Sequence, residues 1–237
     1  MKQKGTLYLV PSTLGGSDIR KGIPDFNLLL LNQLNEFVVE EVRSARRFLR
    51  IAGFSGDFES ITFHILNEHS QPGDVKPAIT SLLGGSDVGL LSEAGLPCVA
   101  DPGNELVREA HASHIRVVPL TGPSSVMLAL MASGFNGQNF AFLGYLPIHS
   151  KDRAIQIRLL EKRVYQYDQT QIFIEAPYRN LQLLSDIIST CADDTALCIA
   201  CDLTLDTEWI RSMRISDWRK TPPPALHKRP AVFLIYK

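Results

Sequence analysis

The chain has 237 residues and lacks any uninterrupted apolar run near the about 20 residues needed to span a bilayer, so no membrane-spanning helix is expected. Its first stretch, MKQKGTLYLVPSTLGG, sets two lysines before apolar residues. The stretch is too short for a secretory core and has no convincing cleavage site, so it reads as a first strand. Cysteine is scarce. The four cysteines form no disulfide framework, and a reducing cytoplasm is the default expectation. Cys198 and Cys201 make a CxxC in a strand pattern, where residues three apart face opposite sides and cannot share a ligand. No second CxxC or His pair completes a zinc set, so no metal is expected. Charge of one sign is also missing. A net charge of −1 gives no global attraction for polyanions, and any RNA contact must come from local patches. Finally, no G-x-G-x-x-G follows a strand, which excludes the common Rossmann cofactor fingerprint.

What is present is alternation. Strands are predicted at Thr6–Val10, Glu36–Val39, Ser60–His64 and Val88–Leu91, with helices at Asn27–Leu34, Arg43–Ala52 and Val75–Leu83 between them. A helix over Asn104–Ser113, a strand over Ile115–Val118 and a helix from Pro123 to Gly134 follow. This βαβα order predicts a parallel sheet. Further on, strands at Phe140–Leu143, Gln171–Glu175, Thr195–Cys201, Glu208–Ile215 and Ala231–Tyr236 enclose helices at Lys151–Val164 and Leu181–Cys191. That half ends in strands with little helix between them, which fits a mixed sheet. The fold class is α/β, with an amino-terminal domain over residues 1–120 and a carboxyl-terminal domain over residues 121–237. The triple proline Pro222–Pro224 is a loop. The string LGGSD occurs at Leu14 and again at Leu83, with no similarity beyond it.

The segment from Val88 to Ser125 concentrates the chemistry. A buried strand runs into a turn-rich loop with two carboxylates, Glu93 and Asp101, and ligands of open α/β sheets bind outside the carboxyl ends of the strands. Asp101 is expected to cap the helix that follows, and Glu93 to face a cofactor or an acceptor. Glu40, Glu41 and Arg43 form a second cluster at a strand end. They read as a charged, solvated helix face with the acidic residues at the end that the helix dipole favours. His64 and Glu68 could face the same cleft, whereas His69, His111 and His114 read as surface or packing histidines. Arg43, Arg46, Arg47 and Arg50 gather on one helix, and Lys151, Arg153, Arg158, Lys162 and Arg163 on another, as solvated faces or a basic rim. Phe142, Tyr145 and Tyr178 are candidates for stacking on bases.

The loops also carry a resemblance. Ser92-Glu93-Ala94-Gly95-Leu96-Pro97 and Ala100-Asp101-Pro102-Gly103 are similar to the Ser-Asp-Ala-Gly-Thr-Pro and Ser-Asp-Pro-Gly signatures of the ribosomal RNA small subunit methyltransferase I family, within the tetrapyrrole methylase superfamily. VVPLTGPSS before Val126, FLGYLP at Phe142–Pro147, FIEAPYRN at Phe173–Asn180 and CDLTLDTE at Cys201–Glu208 resemble further motifs of that family in the same order. Departures lie in the first loop (Thr13 to Ile19), at Glu40-Glu41-Val42-Arg43, at His64 to Glu68, and at Lys228-Arg229-Pro230, where the family has Lys-Gly-Glu.

The resemblance implies two α/β domains with a cofactor cleft between them, and an S-adenosylmethionine-dependent methyltransferase. The substrate it implies is a ribose 2′-hydroxyl of small-subunit (16S) ribosomal RNA, acted on by a cytoplasmic homodimer. It implies cofactor contacts at Ser92, Glu93, Ala94, Gly95, Thr121, Gly122, Ser124, Ser125, Ala176, Pro177, Leu203, Thr204, Pro230 and Ala231. Glu93, Glu41 and Arg43 are the catalytic candidates. Two alternatives stand beside this reading: C-methylation of a tetrapyrrole, and a non-catalytic relative that keeps the fold. The apolar helix Val126–Ala132 could serve an interface or an interdomain core.

Overall fold

A computed structural model describes residues 3–67, 69–71 and 73–237. The chain divides into two units, Met1–Ser124 and Ser125–Lys237. The first contains β1 (Thr6–Val10), α1 (Asp25–Leu31), β2 (Glu36–Val39), α2 (Val42–Ile51), β3 (Thr62–Ile65), α3 (Lys76–Gly84), β4 (Val88–Leu91), α4 (Asn104–Ala112) and β5 (Arg116–Pro119). Its five-stranded sheet has the order β3-β2-β4-β1-β5 and is parallel throughout. The helices divide by face. Leu30, Leu31, Ala45 and Leu49 of α1 and α2 pack in one cluster, and Ala78, Leu82, Leu106 and Ala110 of α3 and α4 in another. The chain leaves β1 toward β2 and leaves β4 toward β5, so adjacent strands send their connections in opposite directions. The topological switch point of the sheet lies between β1 and β4, where open α/β sheets bind ligands beyond the carboxyl ends.

The second unit contains α5 (Ser125–Ser133), β6 (Phe140–Tyr145), α6 (Ser150–Tyr167), β7 (Thr170–Ile174), α7 (Asn180–Thr190), β8 (Ala196–Cys201), β9 (Trp209–Arg214), α8 (Ile215–Trp218) and β10 (Ala231–Tyr236). Its sheet has the order β6-β7-β10-β8-β9. Only β6 and β7 are parallel, and β10 runs antiparallel to both its neighbours. The carboxyl ends of β7 and β8 and the amino end of β10 therefore share one end of the sheet. Helix α5 buries Val126, Ala129 and Leu130 and packs on β8, β9 and β10 of its own unit, while Met127 and Met131 are exposed. Cys198 and Cys201 pair with Leu234 and Ala231 on β10 and are both buried free thiols. Burial pushes their pKa up to about 12 and about 11.

Two expectations change. Helix α4 starts at Asn104 behind Gly103, with φ of 123° and no side-chain cap, so Asp101 does not cap it. A glycine in that conformation turns the chain without a side-chain acceptor. Arg153, grouped above with solvated cations, is buried at 2% exposure. It stands four residues before Ile157, in the same buried stripe of α6 as Leu160 and Val164.

Candidate active site

In the first unit the loops after β1, β4 and β5 meet. The Ser12 amide donates to the Gly95 carbonyl at 2.9 Å, which bridges the switch point. Asn27, only 2% exposed, donates from Nδ2 to the Thr121 carbonyl at 2.8 Å. A Cβ on Gly122 would lie 2.3 Å from Pro11, so only glycine lets the loop after β5 lie against the loop after β1. Gly95 has φ of +80°, which other residues rarely adopt. Ser92, Glu93, Ala94, Gly95, Thr121, Gly122 and Ser124 are thus gathered at adjacent strand ends of one sheet.

Glu93 is exposed at the tip of β4, and Ser44 Oγ donates to its Oε1 at 2.5 Å. The Glu41 carbonyl, 2.8 Å from the same Oγ, shares that hydroxyl proton. Both carboxylate oxygens of Glu41 accept main-chain amides, from Arg43 and Ser44, each at 2.7 Å. Glu41 is therefore the N-cap of α2, and those amide hydrogen bonds hold its carboxyl below the ordinary range. Arg43 is exposed in the first turn of the same helix. Beneath Glu93, a cavity of about 20 Å³ lies among Val39, Ser44, Phe48 and Ser92, with room for one water molecule. Ser92 Oγ is buried and has no hydrogen-bond partner. An orphaned hydroxyl beside glycine-tight loops fits a polar ligand bound by main-chain and hydroxyl groups.

In the second unit the remaining cofactor candidates meet at the shared sheet end. Ala176 and Pro177 follow β7, Leu203 and Thr204 follow β8, and Pro230 precedes Ala231 of β10. Hydrogen bonds join these loops: Asp202 N to Pro230 O at 2.9 Å, Lys228 N to Pro177 O at 3.1 Å, and Asn180 Nδ2 to Arg229 O at 2.7 Å. Asp202 and Thr204 have φ of 50° and 72°. For a β-branched residue such as Thr204 this conformation costs about 1–3 kcal/mol, and strain of this kind clusters at ligand sites. Ser125 is the first residue of α5.

A buried ion network supports this end. Arg153 donates from Nε to Asp186 at 2.6 Å and from Nη1 to the Ile148 carbonyl at 3.0 Å, and lies 3.8 Å from Glu175 Oε2. Glu175, 4% exposed, accepts from the Ala176 amide at 2.7 Å and from Arg179 Nη2 at 2.6 Å. The loops around Pro147 and Pro177 are thereby fixed from below. Sequence reasoning missed Ser44, Asn27, Asp186 and the inward course of Arg153. The available signal for Arg153 was a cation on the apolar stripe of α6.

Other candidates are dispersed. His64 Nε2 meets Glu36 Oε1 at 2.6 Å within the sheet, and Glu68 lies outside the described residues. Arg46 and Arg50 lie over Phe63 and Phe58, 5.8 and 4.9 Å from the ring centroids. Tyr145 and Tyr178 are exposed, and Phe142 is half-buried. Among the described residues, no helix is long and apolar enough to cross a membrane, and no group of His, Cys, Asp and Glu could hold a metal ion.

No family model matches the chain. Among curated proteins it is 32% identical to the Ribosomal RNA small subunit methyltransferase I of Vibrio cholerae, over 89% of this chain and 69% of that protein. It is also 32% identical to the protein of the same name in Pseudomonas aeruginosa, over 90% and 73%. Among solved structures, the methyltransferase CobJ superposes with a TM-score of 0.63 at 17% identity, covering 100% of both chains. The uroporphyrin-III C-methyltransferase of Thermus thermophilus, complexed with S-adenosylhomocysteine, gives 0.57 at 14% identity and 98% coverage of both. Those two likenesses establish the fold, and the curated relatives the family. The chain belongs to the ribosomal RNA small subunit methyltransferase I family, has the tetrapyrrole methylase fold of two α/β units, and is an S-adenosylmethionine-dependent methyltransferase.

Proposed function

We propose that this methyltransferase acts on a ribose 2′-hydroxyl of small-subunit ribosomal RNA, with Glu93 facing the acceptor. The observation that carries this reading is the Ser44–Glu93 pair at the carboxyl end of β4, next to the switch point and the orphaned Ser92 hydroxyl. The relatives named for ribosomal RNA supply the substrate class. The donor, when bound, supplies an electrophilic methyl on a sulfonium. The chain must orient the acceptor in line with that methyl and receive its proton. Glu93, oriented by Ser44, would receive the acceptor hydroxyl's proton while the bound donor supplied the methyl group. Positioning alone is worth up to about 7–11 kcal/mol, so no protein nucleophile is required. Glu41 and Arg43 serve by holding the first turn of α2 and hence Ser44.

The residues proposed to hold the donor are, in the first unit, Ser92 to Gly95, Thr121, Gly122 and Ser124. In the second they are Ser125, Ala176, Pro177, Leu203, Thr204, Pro230 and Ala231. A cytoplasmic homodimer belongs to the same proposal. The exposed Phe26 and Leu29 of α1, at 67% and 68%, give it apolar surface to bury. The test is a ribose-methylation map of small-subunit RNA from a strain without the gene. One ribose methyl is expected to vanish and to return with the wild-type gene but not with Glu93→Gln. A map unchanged by the deletion overturns the substrate assignment.

A further inference from the structure

The second unit has a groove apart from the loops proposed to hold the donor. It is an open depression of about 450 Å³ at the outer edge of the sheet. One wall is Thr207, Glu208 and Trp209, leading into the edge strand β9. The other is Pro222, Pro224 and Ala225, with Trp218 at the base. Trp218 is 2% exposed and its Nε1 donates to the Leu197 carbonyl at 3.0 Å, so the base is fixed. Trp209 is half-buried and packs edge-on against it, with centroids 6.3 Å apart and planes at 69°.

Arg229 holds the two walls together. Its Nη2 donates to the Thr207 carbonyl at 2.6 Å and its Nη1 to the Ala225 carbonyl at 2.7 Å, one on each wall. Its Nε donates to Asp202 Oδ2 at 2.8 Å, and Thr207 Oγ1 donates to the same oxygen at 2.7 Å. The groove is therefore preformed and tied to the strained loop that carries Leu203 and Thr204. Arg211 differs from the other arginines nearby. Arg214 and Arg219 are paired with Asp194 and Asp193, whereas Arg211 is exposed and its recorded contact is with the Trp209 ring, at 5.4 Å.

We propose that this groove binds an unpaired nucleotide of an RNA substrate, its base against Trp209 and the neighbouring phosphate on Arg211. The inference rests on the RNA reading of the preceding subsection and adds a second contact point to it. A planar aromatic wall and an exposed cation stacked on it, with no carboxylate recorded against that cation, match a base with its phosphate. Stacking of this kind tolerates any base. The unit carrying the groove has 13 basic and 11 acidic residues, against 11 and 14 in the first unit, so it is the half a polyanion approaches more readily.

The test titrates the full chain with a 12-nucleotide single-stranded RNA of mixed sequence, read by anisotropy and by tryptophan quenching. Both tryptophans of the chain, Trp209 and Trp218, line the groove, so emission reports on it. Quenching by the single strand, and none by a duplex of equal length, is expected. Trp209→Leu and Arg211→Glu should each weaken the RNA about tenfold, with S-adenosylhomocysteine affinity unchanged. Arg211→Glu changes only an exposed side chain and guards against misfolding of the tryptophan variant. Unchanged RNA affinity in both variants, or quenching by a proline-rich decapeptide and not by RNA, overturns the proposal. If wild-type protein methylates small subunits while both variants bind RNA normally, the groove assignment alone fails. If wild-type protein neither methylates nor binds RNA, the RNA reading fails with it.

Discussion

The two sheets fix the loops at their strand ends by different means. In the first unit the loops after β1, β4 and β5 are held by main-chain contacts and by small residues. Gly122 lies against Pro11, and the Ser12 amide reaches Gly95. In the second unit long cations do this work. Arg153 and Arg179 hold the loop after β7, and Arg229 joins the loop after β8 to the proline loop. A glycine-built junction is rigid because nothing larger fits. A charge-built junction is rigid because removing one member leaves another buried and unpaired.

The largest effect that would sharpen this contrast is expected from Arg153→Met. It leaves Asp186 buried without its cation, Glu175 keeping Arg179, and should cost the second unit about 3–5 kcal/mol. Urea unfolding followed by tryptophan emission reads this directly, because both tryptophans lie in that unit. A loss under about 1 kcal/mol would show the network to be dispensable. Next, Glu93→Gln should lower kcat about a hundredfold, well beyond its effect on donor affinity. Ser44→Ala should lower kcat less and raise KM for the RNA, as expected of a positioning residue. Equal activity in both variants breaks the assignment of the first unit to the acceptor.

Gly122→Ala ranks third. Overpacking against Pro11 costs about 1–3 kcal/mol and should weaken S-adenosylhomocysteine about tenfold, without moving the tryptophan-reported transition. If that transition moves instead, the two junctions are not independent.

A smaller effect concerns pH. The folded pKa of Glu41 is depressed, so its stabilisation of α2 is complete above the ordinary glutamate range and is lost as pH falls through the lowered value. Circular dichroism of urea unfolding at falling pH should show an acid-side loss that Glu41→Gln removes. The smallest effect is on thiols. Cys198 and Cys201, with pKa raised to about 12 and about 11, should resist a disulfide reagent near pH 8 until the second unit unfolds.

The same contrast explains what the sequence disclosed. Alternating apolar runs predict the parallel first sheet and the mixed second one, since period and turn chemistry are local. Strand boundaries from Glu36 to Val39 and from Val88 to Leu91 coincide with the structure because polar residues bound both runs, Asn35 and Glu40 for the first and Asp87 and Ser92 for the second. The glycine-built loops are legible for the same reason. The charge-built ones are not: Arg153 meets Asp186, Arg229 meets Asp202, and Ser44 meets Glu93 across 33, 27 and 49 residues. Nothing in a local window says which cation turns inward. Asp101 failed as a cap because Gly103, two residues on, already turns the chain.

Isothermal calorimetry of the intact chain with S-adenosylhomocysteine tests the central claim most directly. A single saturable site per chain, weakened by Gly122→Ala and untouched by Arg211→Glu, is the predicted result. Absence of any saturable heat from correctly folded protein would contradict it.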